Sequence, residues 1–236
     1  MQLSATTAQR SLRKLRDPKK AAFFPHFFKT GPGEYGEGDK FLGVTVPQIR
    51  SVVREFCQMP LPEIALLLKS SWHEDRLLAL LILVDQSRKA DPATRKKLLG
   101  FYLKNLQSVN NWDLVDSSAP DLLGKVILET GDSSVMYRLA HSKKLWSERV
   151  AMVATLACIR ENQLEHTFTL AEQFLPHKHD LMHKAVGWML REAGKRDEKA
   201  LRKFLHVHVL NMPRTMLRYA IERLAEPVRL SYLQKK

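Results

Sequence analysis

At 236 residues the chain is long enough for one large domain or two small ones, and a hydrophobic fraction of 44% suffices for a real core. Its 38 Lys and Arg against 25 Asp and Glu leave a net charge of +13, which points to a polyanionic partner, nucleic acid ahead of an anionic membrane surface. The longest aliphatic run, residues 77–84, is far too short to span a bilayer, residues 1–15 lack a signal-peptide core, and Cys57 and Cys158 form no CxxC pair, so a cytoplasmic protein with free thiols is expected.

The elements follow in order. Residues 5–15 carry dispersed Arg and Lys and are read as a first helix. Pro18 opens a second, with Phe23, Phe24, Phe27 and Phe28 on its apolar side. Gly31, Gly33 and Gly36 fit the GxGxxG pattern. No strand precedes them, Pro32 interrupts them, and Glu34, Glu37 and Asp39 would repel a pyrophosphate. An ordered surface loop is expected instead. The segment 41–57 follows, where Pro47 suits a helical first turn and Val52, Val53 and Phe56 form an apolar stripe. A second Pro-led helix spans 62–69.

The rest of the sequence is repetitive. Trp72, Trp112, Trp146, Met182 and Met212 each begin a similar helical segment, at spacings of 40, 34, 36 and 30. A period of about 30–40 residues with paired helices marks an α-solenoid. No convincing strand pattern is present. The expected fold is all-α, a curved solenoid of HEAT-like helical repeats forming one domain over residues 1–236.

Three constellations fall on the repeating helices. In Asn110-Asn111-Trp112-Asp113-Leu114-Val115-Asp116, positions four apart share a helix face. Trp112 and Asp116 are therefore side by side, with Asp113 turned away as a helix-start carboxylate. Trp146 and Arg149 lie three apart. Lys184, Trp188 and Arg191 make one stripe of cation, indole and cation. Equivalent helices of a solenoid line one wall, so all three should face a shared groove, where cations track phosphates and indoles meet bases or sugars. His177, Lys178, His179 and His183 invite a metal reading, and His179 and His183 have the i, i+4 spacing for it, but no carboxylate or cysteine supplies a clear third ligand, and neither a metal nor a cofactor is expected. No Ser-His-Asp arrangement, P-loop or Cys nucleophile is present.

These residues resemble the AlkD-like DNA alkylation repair glycosylases, a family of HEAT-like repeat proteins. The likeness covers nearly the whole chain. It is carried by Phe28-Lys29-Thr30-Gly31-Pro32-Gly33-Glu34-Tyr35-Gly36 with Phe41-Leu42-Gly43-Val44, by Trp112-Asp113-Leu114-Val115-Asp116, by Trp146-Ser147-Glu148-Arg149, and by Lys184-Ala185-Val186-Gly187-Trp188-Met189-Leu190-Arg191-Glu192. The resemblance implies that Asp116 stands for the family's catalytic aspartate, that Trp112 and Trp188 are active-site indoles, and that Arg149 contacts the DNA backbone. Lys184 and Arg191 flank Trp188 as further DNA-binding cations. One departure is Val46 before Pro47, where a capping Thr is frequent, although Arg50 remains nearby for phosphate.

The implied activity is hydrolysis of the N-glycosidic bond of cationic N3- and N7-alkylpurines, 3-methyladenine and 7-methylguanine among them, in duplex DNA. The family resemblance also implies working from the backbone side without a base pocket. The expected partner is alkylated double-stranded DNA, bound by a monomer without a membrane. The alternatives are a non-catalytic HEAT-like scaffold for nucleic acid or protein, and an RNA-binding solenoid.

Overall fold

The computed structural model describes residues 3–234. They form an all-α fold of successive helical repeats, with no strand among the described residues beyond an isolated bridge between Lys40 and Trp72. The chain divides into two compact units, Met1–Leu122 and Leu123–Lys236.

The first unit holds α1 (Ala5–Lys14), α2 (Pro18–Phe27), α3 (Val46–Phe56), α4 (Leu61–Leu68), α5 (His73–Lys89), α6 (Pro92–Lys104) and α7 (Trp112–Asp116). Local chemistry sets several of these starts. Ser4, Asp17 and Asp91 cap α1, α2 and α6 by accepting backbone N–H bonds in the first turn. Pro18, Pro47, Pro62 and Pro92 sit in first turns, where a missing N–H costs nothing. Thr45 is the N-cap of α3. The Gln48 side chain accepts from its N–H at 2.9 Å, so although Val46 departs from the frequent capping Thr, the helix is capped one residue earlier.

Helix α5 is the centre of this unit. Residues 77–84 are buried on every side, which is why the run looks uniformly aliphatic in the sequence. Its first turn is buried too, although it reads His73-Glu74-Asp75-Arg76. Each charge there has partners, as burial requires. The Glu74 carboxylate accepts the backbone N–H groups of Leu42, Gly43 and Val44 at 2.8–3.2 Å. Asp75 pairs with Arg13 at 2.7 Å. The segment thus pinned by Glu74 turns at Gly43, whose φ is +82°. A Cβ there would lie 2.2 Å from the Asp17 carbonyl oxygen, so only glycine fits.

The glycine loop before it is ordered by its own acids. Glu34 accepts from the Gly31 N–H at 2.8 Å and Glu37 from the Gly33 N–H at 2.9 Å. The donors that a phosphate would need are taken by carboxylates.

Helix α7 is five residues long, and Pro120 explains its end. Proline has no N–H for the Asp116 carbonyl four residues back. The chain continues instead through a π-helical turn, Pro120–Gly124.

The second unit holds α8 (Lys125–Thr130), α9 (Ser134–Ala140), α10 (Leu145–Arg160), α11 (Glu165–Gln173), α12 (Asp180–Arg196), α13 (Glu198–His208), α14 (Arg214–Ala220) and α15 (Glu226–Gln234). Trp146, Met182 and Met212 fall within two residues of the starts of α10, α12 and α14, as the repeat spacing requires. Helix α12 packs against both α10 and α14. Gly187 permits a close approach of α14. A Cβ there would fall 2.5 Å from both the Met216 carbonyl oxygen and the Tyr219 Cβ, which gives the glycine of the Lys184–Arg191 stripe a packing role.

Candidate active site

Trp112 and Asp116 line one open pocket of about 340 Å³ in the first unit. That volume is within the range of small-ligand sites, roughly 300–1,000 Å³. Its wall is aromatic: Phe24, Phe27, Phe28 and Phe41 join Trp112. Phe28 stacks on Trp112 with ring centroids 5.4 Å apart and planes 19° apart. Phe41 also stacks on Phe28, at 5.0 Å and 13°. Phe27 meets Trp112 edge to face at 5.8 Å. Asp116 is therefore a carboxylate set among π-faces.

The phenylalanines that form the apolar side of α2 do not face the core. No residue of α2 is buried, and Phe23 and Phe27 are 59% and 51% exposed. Phe24 and Phe27 front the pocket, and Phe23 stacks on Phe27. Phe28, just past the helix end, is the member that is buried.

Asp113, expected to turn away from Trp112 and Asp116 as a helix-start carboxylate, lies by the same pocket. It is buried. One of its oxygens accepts from the Leu114 N–H at 2.9 Å, and the other lies 2.7 Å from His73 Nε2. His73 Nδ1 lies 3.1 Å from Asp39, and Asp39 pairs with Arg76 at 2.6 Å. Arg76 also donates to Asn110 at 3.2 Å. Two cations and two carboxylates thus form a buried, neutral cluster beneath the pocket. Burial opposes charge on His73, but the Asp113 carboxylate and the bonds to Asp113 and Asp39 outweigh it, and the imidazole pKa rises to about 9. Burial also works against charge on Asp39, and the His73 hydrogen bond and Arg76 overcome it, leaving its pKa lowered. His73 stays a cation at neutral pH and donates from both ring nitrogens.

The cluster explains the residues before α7. Asn111 caps the helix through the Trp112 N–H at 2.8 Å, and Asn110 belongs to the charged cluster. Trp112 is held from the side by Phe28.

The remaining sequence candidates lie elsewhere. Arg50 is exposed on α3. In the second unit, Trp188 lines a cleft of about 490 Å³ between α10 and α12. Lys184 pairs with Asp180 at 2.8 Å, and Arg191 with Glu222 and Glu192. Arg149 is 4% exposed, and its guanidinium donates to the Leu181 carbonyl just inside α12. The residue expected to reach the DNA backbone is held between helices in this structure. The histidines are structural as placed: His177 lies 3.1 Å from Glu148, His179 caps α12 by accepting the Leu181 N–H, and His183 bonds the His177 carbonyl. Among the described residues no group of three or more His, Cys, Asp or Glu is placed to hold a metal.

This chain belongs to the DNA alkylation repair enzyme family, whose model matches residues 8–224. Its role is accordingly in the repair of alkylated DNA. By fold it is similar to a solved structure described as a predicted DNA alkylation repair enzyme from Enterococcus faecalis, at a TM-score of 0.71 and 16% identity over 89% of this chain and 97% of that one. No curated protein matches the sequence.

Proposed function

We propose that the protein is a monofunctional DNA glycosylase that hydrolyses the N-glycosidic bond of cationic N3- and N7-alkylpurines in duplex DNA, acting as one repeat domain and as a monomer. The observation that carries this reading is the placement of Asp116 beside Trp112 in an aromatic pocket.

An alkylpurine that carries a positive charge is already a good leaving group, so a general acid on the base is dispensable. The C1′–N bond breaks with its electron pair going to the base. That leaves a deoxyribose with oxocarbenium character and a water to add to it. Asp116 is suited to both remaining tasks. Its negative charge stabilises the developing sugar cation, and its oxygens orient the water and accept its proton. The apolar wall lowers the local dielectric and strengthens that charge interaction. The rings of Trp112 and Phe27 favour a cationic, electron-poor base or sugar through cation–π contact.

The test is incubation of the protein with methylated duplex DNA and chromatography of the released bases. Free 3-methyladenine or 7-methylguanine above a no-enzyme control is expected. Intact methylated DNA after prolonged incubation would turn the reading to a non-catalytic scaffold.

A further inference from the structure

Two clefts flank the C-terminal end of α12 in the second unit. One, of about 490 Å³, lies against the indole of Trp188 and is lined by Arg160, Glu192, Lys195 and Arg196. The other, of about 360 Å³, shares Lys195 and Arg196 and adds Arg191, Glu198 and Arg223. The cations of this region fall into two groups. Lys195 pairs with Glu192, and Arg191 with Glu192 and Glu222. Glu198 is engaged by Arg202 of its own helix. Every acid lining the two clefts is thereby matched to a cation. Arg160, Arg196 and Arg223 are exposed, and among the described residues no acid forms an ion pair with them.

Three unmatched guanidinium groups around one helix end are more than the helix needs. Cations in a last turn complement the dipole of α12, and Lys195 and Arg196 already occupy that turn. Arg160 belongs to α10, and Arg223 lies beyond the end of α14. Both are brought to the α12 clefts by packing. A guanidinium offers a planar fork of donors that matches a phosphate in two-point fashion. An indole beside such forks suits the sugar face that separates successive phosphates.

We infer that Arg160, Arg196 and Arg223 form a phosphodiester-binding surface around Trp188 that grips the backbone of duplex DNA. The inference rests on DNA being the partner and assigns to these arginines the backbone contact that the family resemblance implied for Arg149. Lys184 and Arg191, each engaged with an acid, hold the local charge network in place.

The experiment uses the full-length protein and undamaged duplex DNA, with affinity measured from 50 to 200 mM salt. Arg160→Ala, Arg196→Ala and Arg223→Ala should each weaken binding several-fold and lower the slope of log affinity against log salt by about 0.9 per lost contact. Arg196→Lys should keep the slope, because it keeps the charge. Arg202→Ala, which removes an arginine already engaged with Glu198, should leave both quantities unchanged. Wild-type affinity and slope in all three alanine variants would overturn the inference. Base release from methylated duplex by the same proteins separates the two claims. Release by the wild type with unaltered binding in the variants rejects this surface alone. Weakened binding in the variants with no release by the wild type upholds the surface and rejects the glycosylase reading.

Discussion

Phe28 lies flat against Trp112, 5.4 Å between ring centroids, and itself stacks on Phe41. The indole beside the candidate carboxylate thus stacks on a ring that is itself buried. A ring held this way has one orientation, and orientation is what a catalytic wall must supply. Phe28→Leu keeps most of the volume and removes the stacking face. Single-turnover base excision should fall roughly ten- to a hundredfold, the range that displacement of a positioning group produces. Duplex affinity should change little. Equal losses in excision and affinity would show that Phe28 merely supports the fold.

The 2.7 Å contact between His73 and Asp113 gives a pH dependence of definite sign. His73 titrates near 9 in the folded protein and near its ordinary 6.5 when unfolded. Its contribution is therefore complete below about 6.5 and fades as pH rises through 9, with a full extent of roughly 3 kcal/mol. Asp39 works in the opposite direction, because its lowered pKa adds stability above the ordinary carboxylate range that is lost on acidification. Melting temperature should decline between pH 6.5 and 9 in the wild type and be flatter over that interval in His73→Gln. Parallel curves for the two proteins would remove His73 from the stability of the cluster.

Arg149 yields a third expectation. A buried guanidinium bonded to the Leu181 carbonyl stabilises the approach of α10 to α12. Arg149→Ala leaves that carbonyl without this donor, at a cost of about 1–3 kcal/mol. Differential scanning calorimetry should show a clear drop in melting temperature. A side chain devoted to phosphate would leave the melting temperature unchanged and alter only the salt dependence of binding.

These cases show what the sequence could and could not convey. The helical repeats were legible because helix starts, capping residues and apolar spacing are local signals, and Trp146, Met182 and Met212 fall within two residues of their helix starts. Trp112 and Asp116 were legible because four residues is one helical turn. The rest of the pocket comes from residues far apart in the chain. Phe28 and Phe41 precede α7 by many tens of residues; the Glu74 carboxylate pins the backbone of Leu42, Gly43 and Val44 next to Phe41, and Phe28 stacks on Phe41. Asp113 was read only as a helix-start carboxylate because its partner His73 is 40 positions away. Arg149 looked exposed for the same reason, with its acceptor 32 positions on. Buried charge is invisible until the partner that neutralises it is known.

Asp113 and Asp116 are therefore unequal partners. Asp113→Asn takes the counter-charge from a buried imidazolium and should destabilise the fold, by roughly 3–5 kcal/mol if the pair behaves like other buried ion pairs broken on one side. Calorimetry on that variant checks this. A melting temperature equal to the wild type would mean that His73 does not need the charge.

The most direct measurement is single-turnover excision of 3-methyladenine from duplex DNA by Asp116→Asn, with duplex affinity and melting temperature recorded on the same preparation. The substitution keeps the shape and removes the negative charge. If Asp116 stabilises charge that builds on the sugar, its effect belongs to the transition state and not to the bound ground state. Excision should drop by roughly a hundredfold or more, while affinity for the duplex is retained or slightly increased. Wild-type excision by folded Asp116→Asn protein would contradict the assignment of Asp116 and the glycosylase mechanism built on it.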